Sequence, residues 1–206
     1  MSPAAIEGGT AAVPEIRAIF IGASAGGVEA VGVLLGALPK PFAPAVIVVL
    51  HIPPTGPSLL ADLFAARCRL PVREALDKEL IEGGTVYVAP PGYHLLVERG
   101  GTLALSQDAP VAFSRPSIDV LFESAAAAYG PQALAIVLTG GNDDGAEGMA
   151  AIRAAGGRAW VQDPGEAVAP AMPQAALDYA GADLVLPLRD MAERLGNLRS
   201  GRGAAL

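Results

Sequence analysis

The 206-residue chain has one cysteine, Cys68. That excludes an internal disulfide framework and any multi-cysteine metal site. It has two histidines, His51 and His94, so a three-histidine metal centre is excluded and any imidazole chemistry must use one of these two. Lysine is nearly absent, with only Lys40 and Lys78, and 14 basic residues face 21 acidic ones for a net charge of −7. Nucleic-acid binding needs a basic footprint, and a polybasic membrane anchor needs clustered Lys and Arg. Neither is visible. Aromatics make up 5% of the residues, so the core must be built from Ala, Val, Leu and Ile. No apolar run reaches the roughly 18 residues of a membrane span, and no basic-then-apolar leader opens the sequence. The expected location is cytoplasmic, with no membrane insertion and no nucleic-acid partner.

Apolar residues account for 52% of the chain and mean hydropathy is +0.43, which suits a folded domain rather than a disordered one. The 25 glycines and 18 prolines follow no period, so they read as tight turns. The length fits one domain. Flexible tails are expected over residues 1–15 and 197–206, around a single domain over 16–196.

Apolar runs alternate with helical patterns. Ile16 to Ile21 stops at the glycine-rich Gly22–Gly27 and is followed by Val28, Val31, Leu34, Leu35 and Leu38 on one predicted helix face. Ala45 to Leu50 is continuously apolar and β-branched, as in a parallel strand buried on both sides. A helix is predicted from Ser58 to Arg67. Short strands follow at 72–75, 85–89, 94–98 and 102–106, the last two joined as a hairpin at Gly100-Gly101. Ser117 is placed to cap a helix reaching Tyr129. Strands at 133–138, 158–162 and 184–186 then alternate with helices at 145–155, 172–179 and 190–195. The pattern predicts an α/β fold: a doubly wound, mostly parallel sheet flanked by helices, with a short antiparallel β-hairpin insertion.

In such sheets ligands meet the loops at the carboxyl ends of the strands. Three of these loops carry reactive side chains: Ser24 after the first strand, His51 after the second, and Asp143 and Asp144 after a later one. Serine, histidine and aspartate are the parts of an acyl-transfer triad, in which the base activates the hydroxyl and the carboxylate fixes the base. Gly22-Ala23-Ser24-Ala25-Gly26 fits G-x-S-x-G, a sharp strand-to-helix turn with little bulk near the nucleophile. Taken alone, such a turn more often binds a dinucleotide phosphate or merely turns the chain. Two dinucleotide signatures are missing. No tyrosine has a lysine four residues on, and His51 stands where a ribose-binding acid is expected. No Gly-Lys-Ser/Thr exists for a phosphate loop. An α/β-hydrolase places its nucleophile mid-chain and its histidine last, whereas here the serine comes first and the histidine second.

Six blocks in order resemble the catalytic domain of the CheB family of chemotaxis receptor methylesterases, from about Ile19 to Leu195. Gly22–Gly27 is similar to its nucleophile motif, Leu50-His51-Ile52-Pro53 to its histidine motif, and Leu138-Thr139-Gly140 with Asp144-Gly145-Ala146 to its aspartate motif. The supporting blocks are Val86–His94, Arg115–Phe122, and Gln162-Asp163-Pro164 through Met172-Pro173. The chain departs from the family pattern at three positions. Ala25 stands where threonine is usual, Gly141 where methionine is usual, and Ser114 where histidine is frequent.

The resemblance implies a serine hydrolase that removes methyl esters from glutamate side chains on chemoreceptor cytoplasmic helices, and that deamidates glutamine. It implies Ser24 as nucleophile, His51 as base and Asp144, rather than Asp143, as the orienting acid. The N–H groups of Ala25 and Gly141 are the expected oxyanion donors. No cofactor and no metal is required. The residues alone leave two alternatives: a non-catalytic module that binds a receptor or signalling protein, and an esterase for a different ester. His94 is expected to be structural or at the rim, Asp119 and Arg115 either to reach the cleft or to cap a helix or pair at the surface, and Cys68 and Trp160 to lie in the core. Many members of the family carry a receiver domain at the N-terminus; none is expected in the roughly fifteen residues ahead of this domain.

Overall fold

The computed structural model describes residues 15–52 and 58–198. The expected tails fall mostly on residues 1–14 and 199–206, outside that range, as do Pro53 and Pro54. The strands are β1 (Ala18–Ala23), β2 (Ala45–Leu50), β3 (Val72–Glu74), β4 (Val86–Val88), β5 (His94–Val97), β6 (Leu103–Ser106), β7 (Ala133–Val137), β8 (Arg158–Gln162) and β9 (Leu184–Leu186). The helices are α1 (Gly27–Ala37), α2 (Leu60–Ala65), α3 (Ile118–Tyr129), α4 (Ala146–Ala154), α5 (Ala171–Ala180) and α6 (Leu188–Gly196). Seven strands form one parallel sheet in the order β3-β4-β2-β1-β7-β8-β9, and β5 and β6 form a separate antiparallel hairpin. The fold is the doubly wound α/β architecture expected from the sequence.

The central strands are apolar throughout because both of their faces are covered. Along β1, Ala18 and Phe20 enter the core beneath α3, α4, α5 and the hairpin, while Ile19, Ile21 and Ala23 enter the core beneath α1, α2 and α6. The alternation follows the two-residue repeat of a strand. Burying each large aliphatic or aromatic side chain in these layers contributes about 1.5–3 kcal/mol.

Helix α1 differs from expectation at one position. Val31, Leu34, Leu35 and Leu38 are buried, but Val28 is 39% exposed. The helix starts at Gly27, and its inward stripe runs through Ala30, Val31, Leu34 and Leu35. Val28 lies at the edge of that stripe. Trp160 is a core residue. Cys68 is half-buried against the α1 side, and burial pushes its thiol above the ordinary value. Among the described residues no helix is long and apolar enough to cross a membrane.

Candidate active site

From β1 the chain winds outward through β2 to β4, then returns to place β7 on the other side of β1. The switch point therefore lies between β1 and β7, where strand-end loops leave a crevice. Ser24 leaves β1, His51 leaves β2, and the Thr139–Gly145 loop leaves β7. All three carboxyl ends open onto one cavity of about 700 Å³, whose lining includes Ser24, Ala25, His51, Ser114, Gly141 and Asn142.

The Ser24 turn is held from two sides. The Ser24 N–H donates to the Thr139 carbonyl at 2.9 Å, and the Thr139 hydroxyl donates to the Ala25 carbonyl at 2.8 Å. Thr139 Oγ1 also accepts from the Ala169 N–H at 2.8 Å. Gly26 caps α1 with φ of 78°, a conformation glycine adopts without strain. Gly27 has no room for a side chain, because a Cβ there would stand 2.5 Å from Leu50 Cδ1 and 2.7 Å from Ala23 Cβ. The glycines of the motif thus make the turn and allow close packing. Among the described residues, the N–H groups of Ala25 and Gly141 have no acceptor.

His51 Nε2 lies 2.7 Å from Asp144 Oδ2. An ionised carboxylate only accepts hydrogen bonds, so Nε2 carries the proton and Nδ1 presents a lone pair. Asp144 is buried, whereas Asp143 is exposed and lines the cavity. The structure therefore joins His51 to Asp144 and leaves Asp143 out of the pair. Among the described residues no hydrogen bond joins Ser24 to His51. The hydroxyl nearest Nδ1 is that of Ser114, at 3.4 Å, near the outer limit of a hydrogen bond.

Asp144 also sits on the N-terminus of α3. Its Oδ1 accepts from the Ser117 hydroxyl at 2.8 Å and the Asp119 N–H at 2.9 Å, and its Oδ2 accepts from the Ile118 N–H at 2.8 Å. The positive end of a helix favours a carboxylate there. Burial raises the carboxyl of Asp144, but the hydrogen bonds from His51, the Asp119 and Ile118 amides and the Ser117 hydroxyl outweigh it and hold the group below its ordinary value.

Asp119 serves α4 in the same way. Its Oδ1 accepts from the Gly145 and Gly148 N–H groups at 2.9 and 2.7 Å. Each of two adjoining helices is thus capped by an acid from the other's neighbourhood. Burial, followed by the adjacent Asp144 charge, pushes the Asp119 carboxyl up to about 7 against the pull of the Gly148 amide. Two neighbouring buried acids are thus shifted in opposite directions: burial and a like charge prevail at Asp119, and the larger set of donors prevails at Asp144.

His94 is structural. It lies buried, with Nδ1 accepting from the Ser117 N–H at 3.2 Å and Nε2 bonded to the Ala109 carbonyl at 3.0 Å. It pins both ends of the 109–117 segment, much of which lines the cavity. Among the described residues Arg115 pairs with no acid; its Nη1 donates to the Gln107 and Asp108 carbonyls, each at 2.9 Å. Between these anchors, Val111 and Ser114 exchange two backbone hydrogen bonds around Ala112 and Phe113.

Reasoning from the sequence missed the second roles of Ser117 and Thr139, and for Asp119 it offered a helix cap without saying which helix, which is α4. Ser117 was legible as a cap, and its hydroxyl does accept from the Val120 N–H. Its donation to Asp144 spans 27 residues, a distance over which local pattern carries no signal. Among the described residues no group of His, Cys, Asp and Glu is arranged to hold a metal ion.

Comparison with known proteins agrees with this geometry. Residues 19–195 match the family model described as CheB methylesterase. A relative from Leptospira interrogans is 43% identical over 177 residues, covering 86% of this chain and 92% of its own. A Burkholderia lata protein named protein-glutamate methylesterase/protein-glutamine glutaminase 3 is 40% identical over 182 residues; this chain spans 50% of its length. The solved CheB methylesterase catalytic domain of Thermotoga maritima superposes with a TM-score of 0.84 at 31% identity, covering 90% of this chain and all of that one. Its fold, its strand-end cavity and these matches agree: the chain belongs to the CheB methylesterase family.

Proposed function

We propose that this chain is a serine hydrolase of the cytoplasm that removes methyl esters from glutamate side chains on chemoreceptor cytoplasmic helices. The same apparatus deamidates glutamine there, with ammonia as the leaving group. The observation that supports this reading best is the His51–Asp144 pair at 2.7 Å, beside a cavity that Ser24 lines. With Nε2–H committed to Asp144, Nδ1 is the atom that accepts a proton.

Ser24 Oγ attacks the ester carbonyl carbon while its proton passes to His51 Nδ1. Ser114 Oγ, at 3.4 Å, yields that position as Ser24 engages; such contacts commonly tighten only when substrate binds. The carbonyl oxygen becomes an oxyanion, and the free N–H groups of Ala25 and Gly141 are its donors. Asp144 stays ionised and stabilises the imidazolium. The tetrahedral species collapses, the C–O bond to methoxide breaks, and Nδ1–H returns its proton to release methanol. Water then attacks the acyl-serine and gives a proton to Nδ1; the bond from the acyl carbon to Ser24 Oγ breaks, Nδ1–H returns that proton to Oγ, and glutamate leaves with Ser24 restored. Every proton moves between Ser24, His51, water and the leaving group, so no cofactor enters.

The test is methanol release from a methylated chemoreceptor cytoplasmic fragment. Wild type releases methanol and Ser24→Ala does not, with an unchanged circular dichroism spectrum. Release that survives in Ser24→Ala, or wild type that is inert on several receptors, overturns the proposal. In the second case small esters separate a different esterase from a binding module.

A further inference from the structure

The 109–117 segment, much of which lines the cavity, carries a side chain that the hydrolytic chemistry does not use. Phe113 is 105% exposed, the most exposed large apolar residue among those described, and it lines the cavity that Ser24 and His51 share. Its backbone is also unusual. Ala112 and Phe113 have φ of 47° and 61°, and the paired hydrogen bonds between Val111 and Ser114 close the turn around them at 3.1 and 2.8 Å. Positive φ at both central residues defines the turn that asparagine and glycine favour. Alanine and phenylalanine are strained there.

That strain persists because the surroundings fix the turn. His94 holds its two roots, at Ala109 and Ser117. Arg115 ties it to the Gln107 and Asp108 carbonyls. Asn142 Nδ2 donates to the Ala112 carbonyl at 3.4 Å. Strained residues held in this way concentrate at sites that engage ligands. The packing of the free protein gains nothing from a ring wholly in water.

We infer that Phe113 is a specificity-determining residue that docks on the apolar face of a substrate helix while the esterified glutamate enters the cavity. The inference rests on the proposed protein substrate. On a helix, residues three and four positions apart lie about 5–6 Å from one another on one face. A ring at the cavity rim therefore meets the neighbour of the esterified glutamate one turn along. Phenylalanine is among the side chains enriched in protein contacts, and a preformed turn lowers the ordering cost. A small ester has no neighbouring residue to lay against the ring.

The experiment measures kcat and KM for wild type, Phe113→Ala and Phe113→Gly on the methylated receptor fragment and on p-nitrophenyl acetate. The expected result is a rise in KM for the receptor of about tenfold in both variants, the equivalent of losing about 1.4 kcal/mol. The ratio of kcat/KM for receptor over small ester falls by the same factor. Phe113→Gly relieves the positive φ, so its Tm rises while its ratio falls, a divergence that a purely structural role does not produce. A ratio within twofold of wild type in both variants overturns the role of Phe113. So does a ratio lost in Phe113→Ala but kept in Phe113→Gly, which would assign the effect to the backbone. Wild type inert on the receptor overturns the substrate reading, and this inference with it.

Discussion

Replacing Asp144 by asparagine is expected to damage the fold as well as the chemistry. The carboxylate accepts four hydrogen bonds, at 2.7 to 2.9 Å, from His51, Ser117, Ile118 and Asp119. An amide offers one oxygen and one NH2 group. Placed where Oδ1 was, the NH2 faces the Asp119 N–H; placed where Oδ2 was, it faces the Ile118 N–H. Either way one buried backbone donor is orphaned, at about 1–3 kcal/mol. The surviving bonds lose charge assistance, and α3 loses a favourable charge at its N-terminus, about 0.3–1 kcal/mol. The sum is a loss of about 2–4 kcal/mol at pH 7, read by urea unfolding. When the NH2 group faces His51, it donates to Nε2 and forces the proton onto Nδ1, the nitrogen needed as base. Comparable tautomer errors in serine hydrolases reduce kcat on the order of 10⁴-fold. The gap in stability also depends on pH. The folded carboxyl ionises below its ordinary value, so the unfolded chain takes up its proton first on acidification. The stabilisation is complete above the ordinary carboxylate pKa and disappears as pH falls through the lower folded value. A variant that loses activity but stays within about 0.5 kcal/mol of wild type would refute the capping role, since that is the usual scatter of neutral surface substitutions.

Asp119 carries the opposite sign. Its folded pKa is raised to about 7, so between the ordinary carboxylate pKa and 7 the native state holds a proton that the unfolded chain has lost. Wild-type stability therefore falls as pH rises through that window, by at most about 1.4 kcal/mol per pH unit. In Asp119→Asn the amide does not titrate, and its carbonyl can still accept from Gly145 and Gly148, so the stability of this variant relative to wild type is expected to improve from pH 5 to pH 8. Thermal melts across that range check it, and a gap that is flat or narrows the other way contradicts the assignment. Gly148→Ala is expected to cost about 1–3 kcal/mol by overpacking, because its Cβ would stand 2.6 Å from Phe122 Cβ and 2.9 Å from the Asp119 backbone. Receptor methanol release should fall with it, because the Asp119 amide that would move is one of those holding Asp144. Gly100→Ala, whose Cβ meets nothing within 4 Å, is the control, and equal losses in the two variants would count against the argument.

The sheet was legible because its central strands are buried on both faces. Runs such as Ala45–Leu50 have no polar interruption, and the breaks after them, glycine-rich after β1 and β7 and His51-Ile52-Pro53-Pro54 after β2, mark the strand ends where ligands gather. Val28 was misplaced because periodicity alone does not fix where a helix starts. Ser24 and His51 were legible through neighbouring residues, the glycines of one turn and the end of a β-branched run. Asp144 was separated from Asp143 by family resemblance alone, since two adjacent acids in a turn look alike until burial divides them. The support around the site was not legible. Thr139 reaches Ala25 across 114 residues and Asp119 reaches Gly148 across 29, and only the folded topology brings such pairs together.

The same separation bears on the three departures from the family pattern. Ala25, Ser114 and Gly141 all line the cavity, and none donates to Asp144. A Cβ at Gly141 would meet nothing within 4 Å, so the missing side chain there leaves open space rather than a collapsed wall. The departures thus alter the cavity lining and leave the hydrogen bonds behind the acid complete. Asp144 alone does not distinguish an enzyme from a binding module, because capping α3 is reason enough to retain it. His51 does distinguish them. Asp144 fixes one ring nitrogen, and the other is left with an unshared lone pair beside the cavity, held only by a long contact to Ser114. A docking surface gains little from a base presented in this way, whereas Ser24, on the same cavity wall, requires one to become a nucleophile.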